Sequence, residues 1–127
     1  MRNLSKPLSP HLQIYRLPIT AILSILHRMT GIVLSLGIVL LVVVLATAAW
    51  QVEAYRFLQA ILSHWIGQLF LIAWTASLYL HLCNGIRHLF WDAGLGFDLK
   101  TTGQTAYLTI ASTVVLTVAT WLAVYFL

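Results

Sequence analysis

One histidine of this chain stands inside an apolar stretch, where an imidazole has no water to bind. His81 belongs to an uncharged run that extends from residue 57 to residue 86. Gly85 follows one helical turn later, and Arg87 marks the end of the run. Ionisable side chains within membrane-spanning segments are costly and are functional candidates by default. His81 is therefore the residue whose chemistry has to be explained first.

Two kinds of chemistry suit His81. In a helix, His81, Gly85 and His88 share one face at i, i+4 and i+7, and His81 lies about 9 Å deeper than Arg87. A glycine beside the imidazole leaves room for a flat macrocycle, so the spacing fits an axial ligand of haem iron. The alternative is a histidine that hydrogen-bonds to a neighbouring helix, with Gly85 allowing the helices to pack closely. Spacing alone keeps both interpretations open.

A six-coordinate haem needs a second axial ligand. His64 lies roughly 25 Å from His81 along one continuous helix, so we expect it to be a solvated histidine at the opposite interface. His88 is about two turns from His81 and is too close to sit across the ring. The remaining sources are His27 and another chain, and we expect the ligand to come from another chain.

A second polar cluster opens the first apolar run. Ser24 and Arg28 share a helix face at i and i+4. A hydroxyl and a guanidinium so placed can hold a carbonyl oxygen and stabilise the negative charge that quinone reduction develops on it. Arg28 can instead pair with a haem propionate or extend toward lipid headgroups. Arg87 and His88 allow the same interpretations, and Asp92 is a possible neutralising partner for Arg87.

The composition indicates a membrane protein of one domain, residues 1–127. The chain is 61% hydrophobic and 8% charged, whereas soluble domains carry about 25% charged residues. Its net charge of +4 is too sparse for binding nucleic acid, and membrane lipid is the expected surrounding. Cys83 is the single cysteine, which excludes an internal disulfide and the C-x-x-C-H attachment of a c-type haem.

The distribution of charge predicts an all-α protein with three transmembrane helices. The uncharged runs 29–52, 57–86 and 101–127 each exceed the about 20 residues that cross a bilayer, and we expect helices at about residues 22–50, 60–88 and 104–127. Residues 1–20 contain Pro7, Pro10 and Pro18, which interrupt helices. This irregular N-terminal segment is expected at the inner face, where a soluble protein would supply partners for its polar groups.

Lysine and arginine predict the orientation. Six of them flank one side of the predicted helices and a single residue, Arg56, lies on the other. Cytoplasmic segments carry the excess of these residues, so the N-terminus is predicted inside and the C-terminus outside. No transit-peptide composition is visible, which favours a bacterial inner membrane over a mitochondrial one, unless a presequence has already been removed.

Four separated motifs resemble one family. Residues 9–15 read SPHLQIY, residues 18–20 read PIT, residues 24–31 read SILHRMTG, and residues 81–92 read HLCNGIRHLFWD. In this order and at these distances, they resemble the cytochrome b556 subunit of succinate dehydrogenase, the larger of the two membrane anchors. The resemblance covers the whole chain.

The resemblance implies a b-type haem site. His81 matches the histidine that is one axial ligand of the haem iron, with the other ligand supplied by the second anchor subunit. His27 and Arg28 match positions near the haem propionates, and His88 is similar to a further polar neighbour. Gly85, one turn from His81, belongs to the same expected surroundings of the haem.

The resemblance also implies a site for ubiquinone. Ser24 and Arg28 match the residues of the family that bind the quinone at the inner face. The implied partners are a flavoprotein that oxidises succinate, an iron–sulfur protein and a second small anchor, in a complex of the tricarboxylic acid cycle and the respiratory chain. No catalysis is expected from this chain in isolation.

The alternatives to this function are a purely structural anchor, a small transport component and the anchor of a quinol:fumarate reductase. A purely structural anchor would use its histidines for packing alone. A small transport component would need further ionisable groups at mid-membrane, and the three runs carry no Asp, Glu, Lys or Arg at their centres. The quinol:fumarate reductases run similar chemistry in reverse, but their single-chain dihaem anchors need more helices and four histidine ligands.

Overall fold

The fold consists of helices. The computed structural model describes residues 16–126, and within this range the chain forms α1 (Ile19–Trp50), α2 (Val52–Ser63), α3 (Trp65–Asp92) and α4 (Leu99–Phe126). Three of them, α1, α3 and α4, are long and apolar enough to cross a membrane. The predicted all-α class with three spans is confirmed, and the orientation of the termini stays a prediction. Residues 1–15 of the expected inner-face segment lie outside the described residues.

The predicted second helix of residues 60–88 is divided at His64. This residue has an extended backbone (φ −64°, ψ 150°) and its Nδ1 accepts a hydrogen bond from the Ile66 backbone N–H at 3.4 Å, at the start of α3. The shorter α2 carries its polar residues at helical spacing on one face: Glu53, Arg56, Gln59 and Ser63. Such an amphipathic helix is typical of a segment that lies in the membrane interface.

Local hydrogen bonds determine where α3 ends and α4 begins. Gly94 has a positive φ of 80°, a conformation that favours glycine, and the following Leu95 N–H donates to the Phe90 carbonyl at 3.0 Å. These contacts form a Schellman motif. Asp98 precedes α4 and accepts a hydrogen bond from the Thr101 backbone N–H at 2.8 Å. This bond holds the pKa of the exposed Asp98 carboxyl below its usual range.

The packing is that of a membrane protein, with small and polar side chains inside. Large apolar residues of α1, α3 and α4 face outward, because lipid is as apolar as they are and offers no reason to bury them. Apart from Leu23, the buried residues of the described range are small or polar: Thr30, Gly37, Gly67, Asn84, Arg87, Ala106, Thr109 and Thr113. The helices are thus held by close backbone approach and by hydrogen bonds between them.

A polar connection runs through the three long helices at one end of the bundle. The Asn84 side chain, fully buried on α3, donates to the Leu23 carbonyl of α1 at 3.4 Å. Arg87 donates to Asn84 Oδ1 at 3.3 Å and, on α4, to Thr105 Oγ1 at 3.1 Å and the Thr102 carbonyl at 3.0 Å. A single polar network therefore ties α3 to both of its neighbours.

Close contact between α1 and α3 depends on Gly37. A Cβ added at this glycine would overlap the indole of Trp74 on α3. Because the overlap involves the body of a large ring, a side chain at position 37 forces the two helices apart or displaces the indole.

Replacing Gly37 with Ala should therefore weaken the packing of α1 on α3. Overpacking of this kind costs about 1–3 kcal/mol, and the midpoint of thermal unfolding in detergent should fall. The matched control is Gly103→Ala in α4, where an added Cβ meets no atom within 4 Å in the described part of the chain. Equal thermal midpoints for the two variants would contradict this account of the α1–α3 contact.

Candidate functional site

Three histidines from two helices meet in one cluster. His27 of α1 stacks on His81 of α3, with ring centroids 4.0 Å apart and planes within 8° of each other. His88, two turns beyond His81, lies 5.3 Å from the His27 ring and packs edge-on against Trp91. The structure thus brings together all three histidines that the sequence associates with a haem.

The hydrogen bonds of His81 indicate which ring nitrogen carries the proton. Nδ1 lies 3.1 Å from the His27 carbonyl and 3.1 Å from Thr30 Oγ1. A carbonyl oxygen can only accept, so the proton belongs to Nδ1. The Thr30 hydroxyl directs its own hydrogen to the carbonyls of Leu26 and His27, at 2.8 and 3.0 Å. Both acceptors of the His81 proton are consequently on one turn of α1.

The other nitrogen of His81 remains available. Within residues 16–126, no hydrogen bond is formed by Nε2. With the proton on Nδ1, Nε2 carries a free lone pair, which is the donor that a metal ion uses.

Two glycines border the histidine pair. A Cβ added at Gly31 would lie 3.2 Å from His81 Cε1, whereas one added at Gly85 would lie 3.8 Å from His27 Cε1. The tighter position is therefore Gly31, which allows the His81 ring to approach α1. Gly85 lies beside the cluster as its spacing predicts, because the side-chain atom that an added Cβ would meet there belongs to His27.

His27 is poorly placed to bind the same metal as His81 from the opposite side. Rings stacked face to face at 4.0 Å leave no space for a macrocycle between them, and axial ligands must point their nitrogens toward one another. The Nδ1 atom of His27 is buried and has no hydrogen-bond partner among the described residues. A polar group of this kind calls for a partner that residues 16–126 do not provide.

Ser24 and Arg28 lie near the start of α1, on either side of His27 in sequence. They stand one helical turn apart, with Ser24 half-buried and Arg28 exposed. Arg28 follows His27 directly, so the hydroxyl, the guanidinium and the histidine stack lie within two turns of helix.

The Arg87 side chain lies between α3 and α4. The residue is only 5% exposed, and its guanidinium donates to neutral groups of α3 and α4 and lies 4.2 Å from the centre of the Trp91 ring. Asp92, the possible neutralising partner, is exposed and is not among the partners of Arg87 in the described residues. These contacts give Arg87 a role in helix packing, and the ligand-binding roles that its sequence position allowed stay predictions.

His64 lies apart from the cluster. It precedes α3 and is exposed, and its ring contacts Trp65 at 5.8 Å. His81 stands in the other half of α3, more than four helical turns away along the axis. The expectation that these two histidines serve different surroundings therefore agrees with the structure.

Sequence reasoning missed Thr30, Gly31 and Asn84 as parts of the site. Each lies inside a motif already recognised. The spacing of a threonine, a glycine or an asparagine along a helix does not, however, predict that the residue contacts another helix. One signal was available for Thr30, which follows His27 at i+3 and so faces the same neighbour.

Comparison with known proteins identifies the family. The model of the succinate dehydrogenase/fumarate reductase transmembrane subunit matches residues 2–120. The succinate dehydrogenase cytochrome b556 subunit of Paracoccus denitrificans is 42% identical over 122 residues, covering 96% of this chain and 93% of the relative. That of Rickettsia prowazekii is 41% identical over 91% of this chain and 90% of the relative.

A third relative carries a different cytochrome designation. The succinate dehydrogenase cytochrome b560 subunit of Reclinomonas americana is 35% identical over 94% of this chain and 87% of its own length. The resemblance seen in the four motifs is confirmed by matches that span nearly the whole chain. Together with three apolar helices, these similarities show that the chain belongs to the succinate dehydrogenase/fumarate reductase transmembrane subunit family, as a multi-pass membrane-anchor subunit of succinate dehydrogenase in the bacterial inner membrane.

Proposed function

We propose that this anchor subunit binds one b-type haem through His81. The observation that carries the proposal is the hydrogen bonding of His81, whose Nδ1 faces the His27 carbonyl and Thr30 Oγ1 at 3.1 Å each. Metal-binding histidines usually donate their second N–H to such an acceptor, which fixes the ring and makes the other nitrogen more basic. The residues present therefore fit a haem ligand. When bound, the haem supplies a centre that accepts and releases single electrons.

The second axial ligand, in this proposal, comes from the second small anchor subunit. The face-to-face stack of His27 on His81 argues against a pair of ligands from these two residues. His27 contributes a buried nitrogen that lacks a partner in the described part of the chain. His27, Arg28 and His88 are the haem neighbours, with the Arg28 guanidinium suited to a propionate, and Gly85 leaves space beside them.

We further propose that Ser24 and Arg28 form part of the ubiquinone-reduction site. Ser24 donates its hydroxyl hydrogen to a quinone carbonyl oxygen. Arg28 stabilises the negative charge that develops on the quinone as electrons arrive, an effect that is strong where water is excluded. Their positions one turn apart on α1 and the exposure of Arg28 support this assignment.

The complete reaction involves other subunits. Succinate is oxidised in the flavoprotein, and the iron–sulfur subunit carries the electrons to ubiquinone at the inner face of the membrane. Quinone takes up two electrons and two protons to become quinol. This chain supplies part of the quinone site and half of the haem site, with its N-terminus at the inner face, and does no catalysis alone.

Replacing His81 with Leu should remove the haem from the purified complex or alter its absorption. The substitution deletes the Nε2 lone pair while keeping an apolar side chain that lipid and helix packing tolerate. The measurement is a reduced-minus-oxidised spectrum normalised to protein. The control is His64→Asn, which alters the exposed histidine at the start of α3 and retains a side chain able to cap that helix. A spectrum unchanged by His81→Leu would rule out ligation.

Replacing Arg28 with Leu should reduce ubiquinone reduction about a hundredfold, the usual effect of losing one electrostatic donor at a reacting oxygen. Succinate oxidation by an artificial acceptor should stay intact, because that reaction does not need the quinone site. Arg56→Leu is the matched control, since Arg56 is an exposed arginine of α2 at the other end of the bundle. Parallel loss of both activities in Arg28→Leu would indicate failed assembly instead.

A further inference from the structure

The hydroxyl of Thr30 holds the imidazole of His81 from the neighbouring helix. We propose that Thr30 is a positioning residue for the haem ligand: it accepts the Nδ1 proton of His81, fixes the direction of Nε2 and raises its basicity. This inference rests on the proposed ligation of haem by His81. Thr30 itself touches neither haem nor quinone in this proposal and acts through the histidine.

The hydrogen bonds of Thr30 indicate that its hydroxyl oxygen accepts the proton of His81 Nδ1. Its hydrogen points to the Leu26 and His27 carbonyls at 2.8 and 3.0 Å, so the lone pairs are what it can offer to His81 at 3.1 Å. Thr30 is 7% exposed, and water is therefore poorly able to replace its hydroxyl. The contact joins residues from α1 and α3 and is independent of local helix geometry.

Thr30 is one of two acceptors for the same proton. The His27 carbonyl lies equally far from His81 Nδ1 and would remain after the Thr30 hydroxyl is removed. Removal of the Thr30 hydroxyl also removes the hydrogen bond that it donates to the His27 carbonyl. The His81 ring, held by one acceptor where there were two, can then rotate more freely. We therefore expect a shifted and more mobile ligand, with ligation retained.

The consequence is measurable on the haem iron. An acceptor at Nδ1 raises the basicity of the ligand, and loss of such an outer partner typically costs 10–100-fold in metal affinity. A more basic imidazole favours ferric over ferrous iron, so its loss should move the reduction midpoint in the positive direction. A tenfold change in the ferric–ferrous balance corresponds to ~59 mV for one electron.

The test compares Thr30→Val with Thr30→Ser in the purified complex. The measured quantities are haem content per complex and the haem midpoint potential from a redox titration followed by absorbance. Val keeps the shape of threonine without the hydroxyl, and Ser keeps the hydroxyl without the methyl group. We expect a positive midpoint shift and lower haem retention in Thr30→Val, and values close to the parent in Thr30→Ser.

A role in packing alone predicts the reverse order, since Val then substitutes well and Ser leaves a gap. The matched control is Thr47→Val. Thr47 makes the same pair of bonds to the carbonyls three and four residues earlier on α1, at 3.0 and 2.9 Å, and no hydrogen bond joins it to a histidine in the described residues. A midpoint shift of equal size in Thr47→Val, or none in Thr30→Val, would overturn the inference.

His81→Leu separates this inference from the proposed function. If His81→Leu removes the haem while Thr30→Val leaves the midpoint and haem content unchanged, the ligand assignment stands and the role of Thr30 is refuted. If the haem is unaffected in His81→Leu, the ligand assignment fails and the inference about Thr30 fails with it.

Discussion

The lack of water inside a bilayer is the constraint on which this structure depends. A polar group on a spanning helix must find its partner in protein, because hydrocarbon offers none. The His81 Nδ1 proton meets this demand at the His27 carbonyl and Thr30, and the Arg87 guanidinium meets it at Asn84 and two threonines. All of these contacts except Arg87–Asn84, which lies within α3, join two helices, so satisfying the polar groups also assembles the bundle.

The central helix α3 contacts α1 and α4 through different kinds of polar side chain. Toward α1 it presents His81, whose ring stacks on His27, and His88, whose ring lies 5.3 Å from that of His27. Toward α4 it presents Arg87 and, nearer the other end, Tyr79, whose hydroxyl lies 2.7 Å from Thr120 Oγ1. Each of the two neighbouring helices also carries a polar atom without a hydrogen-bond partner among the described residues, since His27 Nδ1 of α1 and Trp121 Nε1 of α4 are both buried and unpaired there.

The sequence predicted the parts of the fold and site that follow from periodicity and charge. Uncharged runs indicated the three spans, and helical spacing aligned His81 with Gly85 and Ser24 with Arg28. The division at His64 was not predictable from hydropathy, because α2 continues the apolar composition and differs only in having one polar face. The contacts of Thr30 and the inward turn of Arg87 depend on how helices cross, which a single sequence does not specify.

The histidine stack bears on how a haem site can be divided between chains. Parallel rings 4.0 Å apart place His27 against the face of His81, whereas a second ligand of an iron held at Nε2 would have to lie beyond the edge of that ring. In the haem site proposed here, that ligand would therefore come from outside residues 16–126. A site completed in this way forms only when the subunits meet, so cofactor binding and assembly become one equilibrium: a partner that stabilises the haem is itself stabilised by it.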